Sequence, residues 1–525
     1  MAALSDSSNS GIFVVEGLSR EQGIPIDRAT TVAFVGPTPR GPVDRPLELA
    51  SAEDFLRNFA APGQRCRLEL AVQQYFSCGG QNALVVRVSA TRDRNLIELP
   101  GREGSLVLQA INPGPYEYLR ASIDYDGIAE ADTNSFNMVV QRLRSPIEPF
   151  IYEQEIHSGI SIDENSDQYV GHALMQSNLV TPQEPIPAAR PDETVSSNSI
   201  RSVSYIDCRS GSRPASPSDY DLIGSATEGT GLFALEQVES IDLVCLFSAA
   251  PQTDLGPVAI LAADRYCRRR QALLLVDPPL DWMCVGDVVA AQHRLGFSSP
   301  NVLTYFPRLE AKSGIDLPTP VSAMGAMAGV LAARDRRAGR GSGNPGKLFF
   351  KRGAYKPAVS LTADEIQSLA RLGINSLVRA PRLHVRIEGE VTLARYSSIT
   401  SEWGELHLRR KALFILGSIS SCTNWLAFHE NESPVWQEIC DQLHPFMQSL
   451  HENGYLAGDS ASNAYFVKCD SDSNSGLTGR KGEFAFIVGF ALRKSGDHQA
   501  FRFSRRDGAC TIAELGSRTG LALAS

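Results

Sequence analysis

Residues 242–306 read DLVCLFSAAPQTDLGPVAILAADRYCRRRQALLLVDPPLDWMCVGDVVAAQHRLGFSSPNVLTYF, so short apolar runs alternate with longer amphipathic segments. The apolar runs Asp242–Phe247, Ala272–Val276 and Val302–Phe306 have the length and composition of buried strands. The segments between them, Val258–Arg270 and Val285–Leu295, carry apolar residues at helical spacing. This alternation predicts an α/β fold whose sheet is mostly parallel and has right-handed crossovers.

Residues 29–90 repeat the same pattern. The run Thr31–Gly36 predicts a strand that the following prolines end, and Ser51 is placed to cap a helix. The segment Leu68–Phe76 predicts a second helix, and Ala83–Val88 predicts a second buried strand. We therefore expect residues 29–90 to supply the N-terminal part of the α/β core.

Residues 91–225 have a different composition. They contain 20 acidic and 10 basic residues, although the whole chain of 525 residues has a net charge of only -9. Helical periodicity is missing, and short β-type runs, such as 105–111 and 135–143, are separated by turn residues. We expect 91–225 to form an inserted, acidic, β-rich domain exposed at the surface.

The α/β pattern resumes in residues 226–482, which we expect to complete the core. Helical periodicity predicts four further helices in this part, at 320–337, 362–372, 406–420 and 434–453. The first is rich in small residues and so permits close packing of another helix. Residues 424–428 are expected to be extended, and Pro445 is expected to kink the helix that contains it.

The two ends of the chain are expected to be arms. Residues 1–28 contain one β-rich run in an otherwise loose segment. Residues 464–468 predict the last strand of the core, and 483–525 are expected to be a strand arm, at 483–492, followed by a charged tail. A chain of this length predicts three to four domains, so a multidomain protein of mixed α/β (α+β) class is expected.

Several classes of function are disfavoured by what the sequence lacks. No long Lys/Arg run supplies the basic face that nucleic acid requires, and Arg268–Arg270 reads as the basic end of a helix. The ten cysteines include no CxxC pair, so no metal site and no cofactor are expected. The sequence contains no run of about 18 apolar residues, so no stable membrane insertion is expected. The N-terminus lacks a secretory signal, so we expect the protein to be made and kept in a cytoplasm unless another route exports it.

One segment imitates a nucleotide-binding loop. Gly341–Lys347 fits the pattern GxxxxGK. Residue 348 is Leu, however, where Mg²⁺ coordination needs a hydroxyl, and the loop follows a predicted helix rather than a strand. His444 and His451 have no carboxylate that would complete a metal site. We therefore expect no enzyme, and a P-loop-like, nucleotide-using α/β enzyme is the least favoured alternative.

An ordered set of short motifs resembles the contractile phage tail sheath family. In the N-terminal half the motifs are Ala33–Gly36, Arg40-Gly41-Pro42, Asp54-Phe55 and Ala83–Val88. In the C-terminal half they are Leu372–Asn375, Asn424–Phe428 and Tyr465–Asp470. The resemblance covers roughly residues 11–90 and 230–495, and the ordered set is more specific than any single motif.

The resemblance implies a sheath fold in which terminal arms leave their own subunit and add strands to neighbouring sheets. In the N-terminal arm the matching residues are Ile12, Phe13, Val14 and Val15. In the C-terminal arm they are Phe484, Ala485, Phe486, Ile487 and Val488. The charges agree with this pairing, because 1–28 contain four acidic and two basic residues, whereas 491–508 contain two acidic and five basic residues.

The resemblance also implies a structural role. Subunits would form hexameric rings stacked helically around an inner tail tube protein, and they would contract when the baseplate triggers them. The expected partners are further copies of the chain, the tube, the baseplate and a tail terminator, in a virion tail assembled in the host cytoplasm. The tube is expected to contact one helix through Trp436, Glu438, Asp441 and Gln442. The sheath of a genome-free contractile injection particle, of the tailocin type, stays open as an alternative.

Overall fold

The structure is a computed structural model that describes residues 24, 29–147, 150–194, 204–209, 216–250, 252–311, 320–338, 355–380, 384–396 and 403–516. The described residues from 29 onward form two compact units, 29–417 and 418–516. The division differs from the predicted boundary at residue 483. It falls earlier because the strand at 465–468 pairs with the strand at 484–491.

The first unit begins with two helices between strands. In chain order these elements are β1 (Val32–Gly36), β2 (Leu47–Leu49), α1 (Ala52–Asn58), α2 (Arg67–Ser77) and β3 (Ala83–Arg87). Ser51 caps α1 as expected, since its Oγ accepts the Asp54 N–H at 3.1 Å and the Asp54 carboxylate accepts the Ser51 N–H at 2.9 Å. This capping box satisfies donors that the first turn of a helix leaves unpaired.

Residues 96–207 form two small antiparallel sheets. Their elements are β4 (Leu96–Leu99), β5 (Leu106–Ala110), β6 (Leu119–Asp124), β7 (Ser135–Leu143), β8 (Ile151–Ser161), α3 (Val170–Ala173), β9 (Val180–Pro182) and β10 (Ile206–Asp207). The strand orders are β4-β5-β9 and β10-β6-β7-β8. Alternate residues of these strands, such as Leu106, Leu108, Phe136 and Met138, point into one shared apolar core.

The rest of the first unit alternates strands and helices. Its elements are α4 (Asp219–Ile223), β11 (Leu243–Leu246), α5 (Pro257–Arg269), β12 (Leu273–Val276), α6 (Val285–Leu295), β13 (Val302–Phe306), β14 (Leu309–Ala311), α7 (Met324–Ala338), β15 (Tyr355–Pro357), α8 (Ala363–Arg371), β16 (Asn375–Ala380), β17 (His384–Glu388) and α9 (Leu406–Cys422), which crosses into the second unit. The predicted strands and helices of residues 242–306 are all present. Thr362 and Glu365 form the capping box of α8.

One eight-stranded sheet organises the first unit, in the order β17-β16-β13-β12-β11-β1-β3-β2. The six inner strands are parallel to one another, and each outermost strand, β2 or β17, is antiparallel to the strand beside it. Residues 32–36 of β1 are all buried because helices cover both faces. Phe34 packs on the side of α2 and α7, whereas Ala33 packs on the side of α5 and α8.

Helices α2 and α7 approach each other closely. A Cβ atom on Gly325 would lie 1.9 Å from the Ala71 carbonyl oxygen, and one on Gly329 would lie 2.4 Å from that of Tyr75. Only glycine therefore fits at these two positions. The predicted close packing of the small-residue helix is confirmed.

The second unit contains two helices and a four-stranded antiparallel sheet. Its elements are α10 (Ser433–Glu452), α11 (Ala461–Ala464), β18 (Tyr465–Lys468), β19 (Phe484–Ala491), β20 (His498–Arg506) and β21 (Ala509–Gly516). Pro445 lies inside α10, which continues as helix on both sides of it.

Two predictions in this unit were wrong. Asn424–Phe428 is a 3-10 helix rather than an extended segment. Residues 498–516 form a β-hairpin where a charged tail was expected. The hairpin is held partly by buried Arg505, whose guanidinium donates to Thr423 Oγ1 at 3.2 Å and to Asn424 Oδ1 at 2.8 Å.

Candidate assembly surfaces

The predicted C-terminal assembly strand lies inside the sheet of its own unit. Residues Phe484–Val488 belong to β19, all eight residues of which are buried. β19 pairs with β18 along one edge and with β20 along the other. Phe486 of β19 stacks on Phe503 of β20 with ring centroids 4.9 Å apart. The expectation of a free arm at Phe484–Val488 is therefore corrected, because donating this strand would break a completed sheet.

The outer edge of this sheet is formed by β21 in the part of the chain that the structure describes. β21 is eight residues long, and most of its side chains are exposed. The opposite edge strand, β18, has only four residues. Long exposed edge strands are the usual place for another chain to add a strand. The N-terminal candidates Ile12, Phe13, Val14 and Val15 lie outside the described residues.

The four predicted tube-facing residues of α10 divide into two pairs. Glu438 and Asp441 are exposed, and the Asp441 carboxylate accepts a hydrogen bond from Gln437 at 3.0 Å. Trp436 and Gln442 instead hold their own unit together. The indole N–H of Trp436 donates to Asn431 Oδ1 at 2.5 Å, and Gln442 accepts from the indole of Trp425 at 3.0 Å.

Helix α10 therefore presents an acidic face. Glu432, at its N-cap, and Glu452, at its last residue, are exposed like Glu438 and Asp441. The sequence of α10 contains no Lys or Arg. An exposed surface of one sign selects a partner of the opposite sign.

Three buried arginines join the eight-stranded sheet to the two small antiparallel sheets of residues 96–207, here called the acidic sheets. These arginines were not singled out in the sequence analysis. They are Arg40, Arg87 and Arg142, with exposed fractions of 0%, 2% and 5%. Arg142 pairs with two carboxylates, that of Glu117 at 2.7 Å from its Nε and that of Glu153 at 3.8 Å from its Nη1. A signal was present, because Arg87 interrupts an otherwise apolar strand.

Arg87 binds carbonyl groups from two loops, the one between β1 and β2 and the one between β5 and β6. Its Nε donates to the Thr38 carbonyl at 3.1 Å, and its Nη1 donates to those of Gly41 at 2.5 Å and Pro113 at 2.7 Å. Removal of the guanidinium from water lowers the pKa of Arg87 to about 10. Arg40 acts in the same way, since it donates to the Leu143 carbonyl at 3.2 Å. These arginines fix where the acidic sheets attach to the core.

The carboxyl edge of the eight-stranded sheet is where an α/β enzyme would bind its substrate. The charged groups there pair with each other. Arg308 donates to Asp254 Oδ1 at 2.9 Å and to the Pro278 carbonyl at 2.8 Å, and Asp277 lies 3.5 Å away. The segment that imitates a nucleotide-binding loop, Gly341–Lys347, lies outside the described residues.

Among the described residues, no three His, Cys, Asp or Glu side chains come together in a way that could hold a metal ion. No helix among them is both long enough and apolar enough to cross a bilayer.

Comparison with known proteins supports a single fold. No protein-family model and no curated protein sequence matches the chain. A crystal structure of a sheath tail protein from Listeria innocua matches with a TM-score of 0.61 at 13% identity, over 91% of this chain and 95% of that chain. A sheath tail protein from Desulfitobacterium hafniense matches with a TM-score of 0.51 at 10% identity, over 95% and 99% of the two chains.

A third match comes from an assembled particle. It is the PVC sheath complex of an extracellular contractile injection system in its contracted state, with a TM-score of 0.51 at 14% identity, over 94% of this chain and 96% of that chain. All three matches extend over nearly the whole of both chains. The chain therefore has the fold of the contractile sheath proteins.

Proposed function

We propose that this protein is the structural subunit of a contractile sheath. The observation that carries the proposal is the match to sheath proteins over more than 90% of this chain. The paired charges at the carboxyl edge of the large sheet agree with a structural role rather than a catalytic one. Copies of the chain would assemble as hexameric rings stacked helically around an inner tube, between a baseplate and a terminator.

Strand addition would join the copies. The N-terminal run Ile12–Val15 of one copy would pair with the outer edge of β21 in another copy. Backbone hydrogen bonds would supply the affinity, and the apolar side chains of the run would give register. This proposal keeps the N-terminal arm of the sequence analysis and replaces its C-terminal partner, Phe484–Val488, with the strand at the edge of the same sheet.

The acidic face of α10 would contact the tube through Glu438 and Asp441. The partner surface would be basic, because the helix contributes no cation of its own. Such a contact depends on charge and is therefore weakened by salt. A contact of this kind would let the sheath slide along the tube during contraction.

Contraction would require no chemical step. A sheath assembled in an extended state can be metastable, so that repacking of the interfaces between subunits releases free energy when the baseplate triggers it. The arms would keep the copies connected while the two folded units move as bodies. The acidic sheets of residues 96–207 would lie on the outside of the particle.

Two kinds of particle fit this role. One is a phage tail, in which contraction leads to genome ejection, and the other is a genome-free injection particle. The matching PVC sheath comes from an extracellular contractile injection system, and this match supports retaining the genome-free particle as an alternative. Nucleic acid extraction from purified particles separates the two, since only a phage particle yields packaged DNA.

Electron microscopy tests the proposed function directly. The full chain, expressed alone or with its tube protein and purified, should form striated tubes with six-fold symmetry in negative stain. A chain that stays monomeric both alone and with the tube protein, at concentrations well above those in a cell, would contradict the sheath role.

A further inference from the structure

A small cavity lies at the carboxyl edge of the eight-stranded sheet. Its volume is about 110 Å³, and it is lined by the last residues of β11 and β12, by Val302 and Thr304 of β13, and by residues that follow these strands. Interiors of proteins are close-packed, so a space of this size requires an explanation.

The cavity lies beside a change of direction in the sheet, which falls between β1 and β11. The chain passes from β1 to β3 on one side of β1, and it later places β11 on the other side. Helix α2, which follows β1, packs on one face of the sheet, and α5, which follows β11, packs on the opposite face. In open α/β sheets, ligands bind outside the carboxyl ends of the strands at such a point.

The walls of the cavity are mainly apolar. They include two aromatic side chains and several aliphatic ones, namely Trp282, Phe297, Leu246, Ile260, Val276 and Leu393. Each belongs to a different element or loop. A ligand in the cavity would therefore contact several parts of the first unit at once.

The charged groups of the rim balance one another. Arg67 and Arg308 are matched by Asp254 and Asp277. Arg308, which is 5% exposed, donates to Asp254, and Arg67 donates to Ser248 Oγ at 2.8 Å. The remaining carboxylate oxygens also accept hydrogen bonds, from the Leu280 N–H at 2.7 Å and from the Ser322 hydroxyl at 2.8 Å. A charged ligand would have to break these pairs, whereas a neutral one would not.

We propose that this cavity binds a neutral, single-ring aromatic molecule. Its volume is below the roughly 150 Å³ of a buried apolar cavity that takes up benzene, so a single ring is the largest occupant that would fit. The ring would lie beside Trp282 and Phe297, and a polar substituent would point toward the rim. The site is independent of the assembly surfaces, so it does not rest on the sheath proposal.

Fluorobenzene is a suitable probe for the full-length protein. We expect its ¹⁹F NMR signal to broaden or shift on addition of protein, and the melting temperature to rise with probe concentration, because a ligand of the folded state stabilises it. Ile260→Phe fills the cavity and should abolish both effects. Leu261→Phe is the matched control, since Leu261 is the next residue of α5 and is 55% exposed; it should respond like the unaltered protein.

Neutrality is tested separately on the unaltered protein, so the result does not depend on whether Ile260→Phe folds. 4-Fluorobenzoate has nearly the same ring but carries a charge, and it should bind at least tenfold more weakly than fluorobenzene. The proposal is overturned if fluorobenzene shows no binding up to its solubility limit, if folded Ile260→Phe binds it as well as Leu261→Phe does, or if the two probes bind equally.

Discussion

Single buried charges decide how the acidic sheets attach to the core. Arg87 is 2% exposed and supplies donors to the carbonyl groups of Thr38, Gly41 and Pro113. Arg87→Met keeps the apolar stem but leaves these buried acceptors without a donor. We expect the free energy of unfolding to fall by roughly 3–5 kcal/mol, as when other buried ionic partners are removed. Urea denaturation followed by circular dichroism measures the change.

Arg92→Met is the control for this change. The Arg92 side chain is 61% exposed and pairs with Asp44 at 2.7 Å. Exposed ion pairs contribute little, so the expected loss is below about 1 kcal/mol. Equal losses for the two variants would show that the carbonyl contacts of Arg87 do not hold the junction.

Thiol reactivity should follow burial. Cys284 is exposed, whereas Cys245 and Cys267 are buried. Burial also raises the pKa of Cys422 to about 12, so that about one thiol in ten thousand is ionised at pH 8. We expect iodoacetamide to modify Cys284 in the native protein at least a hundredfold faster than Cys245, Cys267 or Cys422. Peptide mass spectrometry over a time course tests this order, and early modification of Cys245 would contradict the buried position of β11.

At the scale of elements, the contact between α2 and α7 depends on glycine. Gly325→Ala would place a methyl group 1.9 Å from the Ala71 carbonyl oxygen, so the helices must separate. We expect a loss of roughly 2–4 kcal/mol in the free energy of unfolding, the range found for severe overpacking or cavity formation in a core. Thermal unfolding of the purified variant measures it.

Gly286→Ala in α6 is the matched control. Its new methyl group would meet only Cys284 Sγ, at 3.5 Å. Alanine favours helix over glycine by up to about 1 kcal/mol, so this variant should be unchanged or slightly more stable. The same glycine-to-alanine exchange is thus expected to destabilise the protein in α7 and to leave its stability unchanged or slightly higher in α6. A similar loss of stability in both variants would refute the close contact between α2 and α7.

The acidic face of α10 offers a test of the proposed tube contact. Glu438→Lys combined with Asp441→Lys reverses two exposed charges and should leave the melting temperature within a few degrees. We expect co-sedimentation with tube protein to be lost at low salt. The control, Glu130→Lys with Glu164→Lys, makes the same charge change at exposed positions of the acidic sheets. Co-sedimentation that survives on the α10 variant would remove α10 from the contact.

The elements that could be predicted are those whose evidence is local. The strands of residues 242–306 and the capping boxes at Ser51 and Thr362 follow from periodicity and from spacings of a few residues. The pairing of β20 with β21 in a hairpin cannot be predicted in this way. Arg505 looks like part of a charged tail in the sequence, and only contacts with Thr423 and Asn424, about 80 positions away, show that it is buried.

Only part of the proposed tube contact on α10 could be predicted, because only part of its evidence is local in the sequence. The exposure of Glu438 and Asp441 follows from helical spacing, which places them opposite the apolar stripe that runs from Trp436 to Leu450. Trp436 belongs to that stripe and Gln442 lies beside it, but their hydrogen bonds to Asn431 and Trp425 depend on how the preceding loop folds back. Likewise, the apolar sequence of Phe484–Val488 predicts a strand but does not say which strands pair with it.

At the scale of the whole molecule, the two folded units and the segment proposed to join copies are different parts of the chain. The described part of the first unit begins at residue 29, and its sheet takes strands from both halves of the chain. The second unit completes its own sheet around β19. Every strand of the described sheets lies between residues 32 and 516, and we propose that residues 1–20 join the copies.

Deletion of residues 1–20 tests that division of roles. We expect the truncated chain to keep the far-ultraviolet circular dichroism and melting temperature of the full chain, because the described cores are unaffected. We also expect it to form no tubes in negative stain, because strand addition at β21 would lack its donor. A chain that neither assembles nor folds would show that the segment stabilises its own subunit instead.

A finer version changes only the β-rich run. Phe13→Asp with Val15→Asp places two charges on one face of the proposed strand, and Ser5→Asp with Ser7→Asp adds the same charge outside it. Buried charges without partners are costly, so the first variant should raise the concentration needed for tube formation at least tenfold, whereas the second should change it little. Tubes that form equally well from both variants, or from the truncated chain, would exclude Ile12–Val15 as the strand that connects the copies.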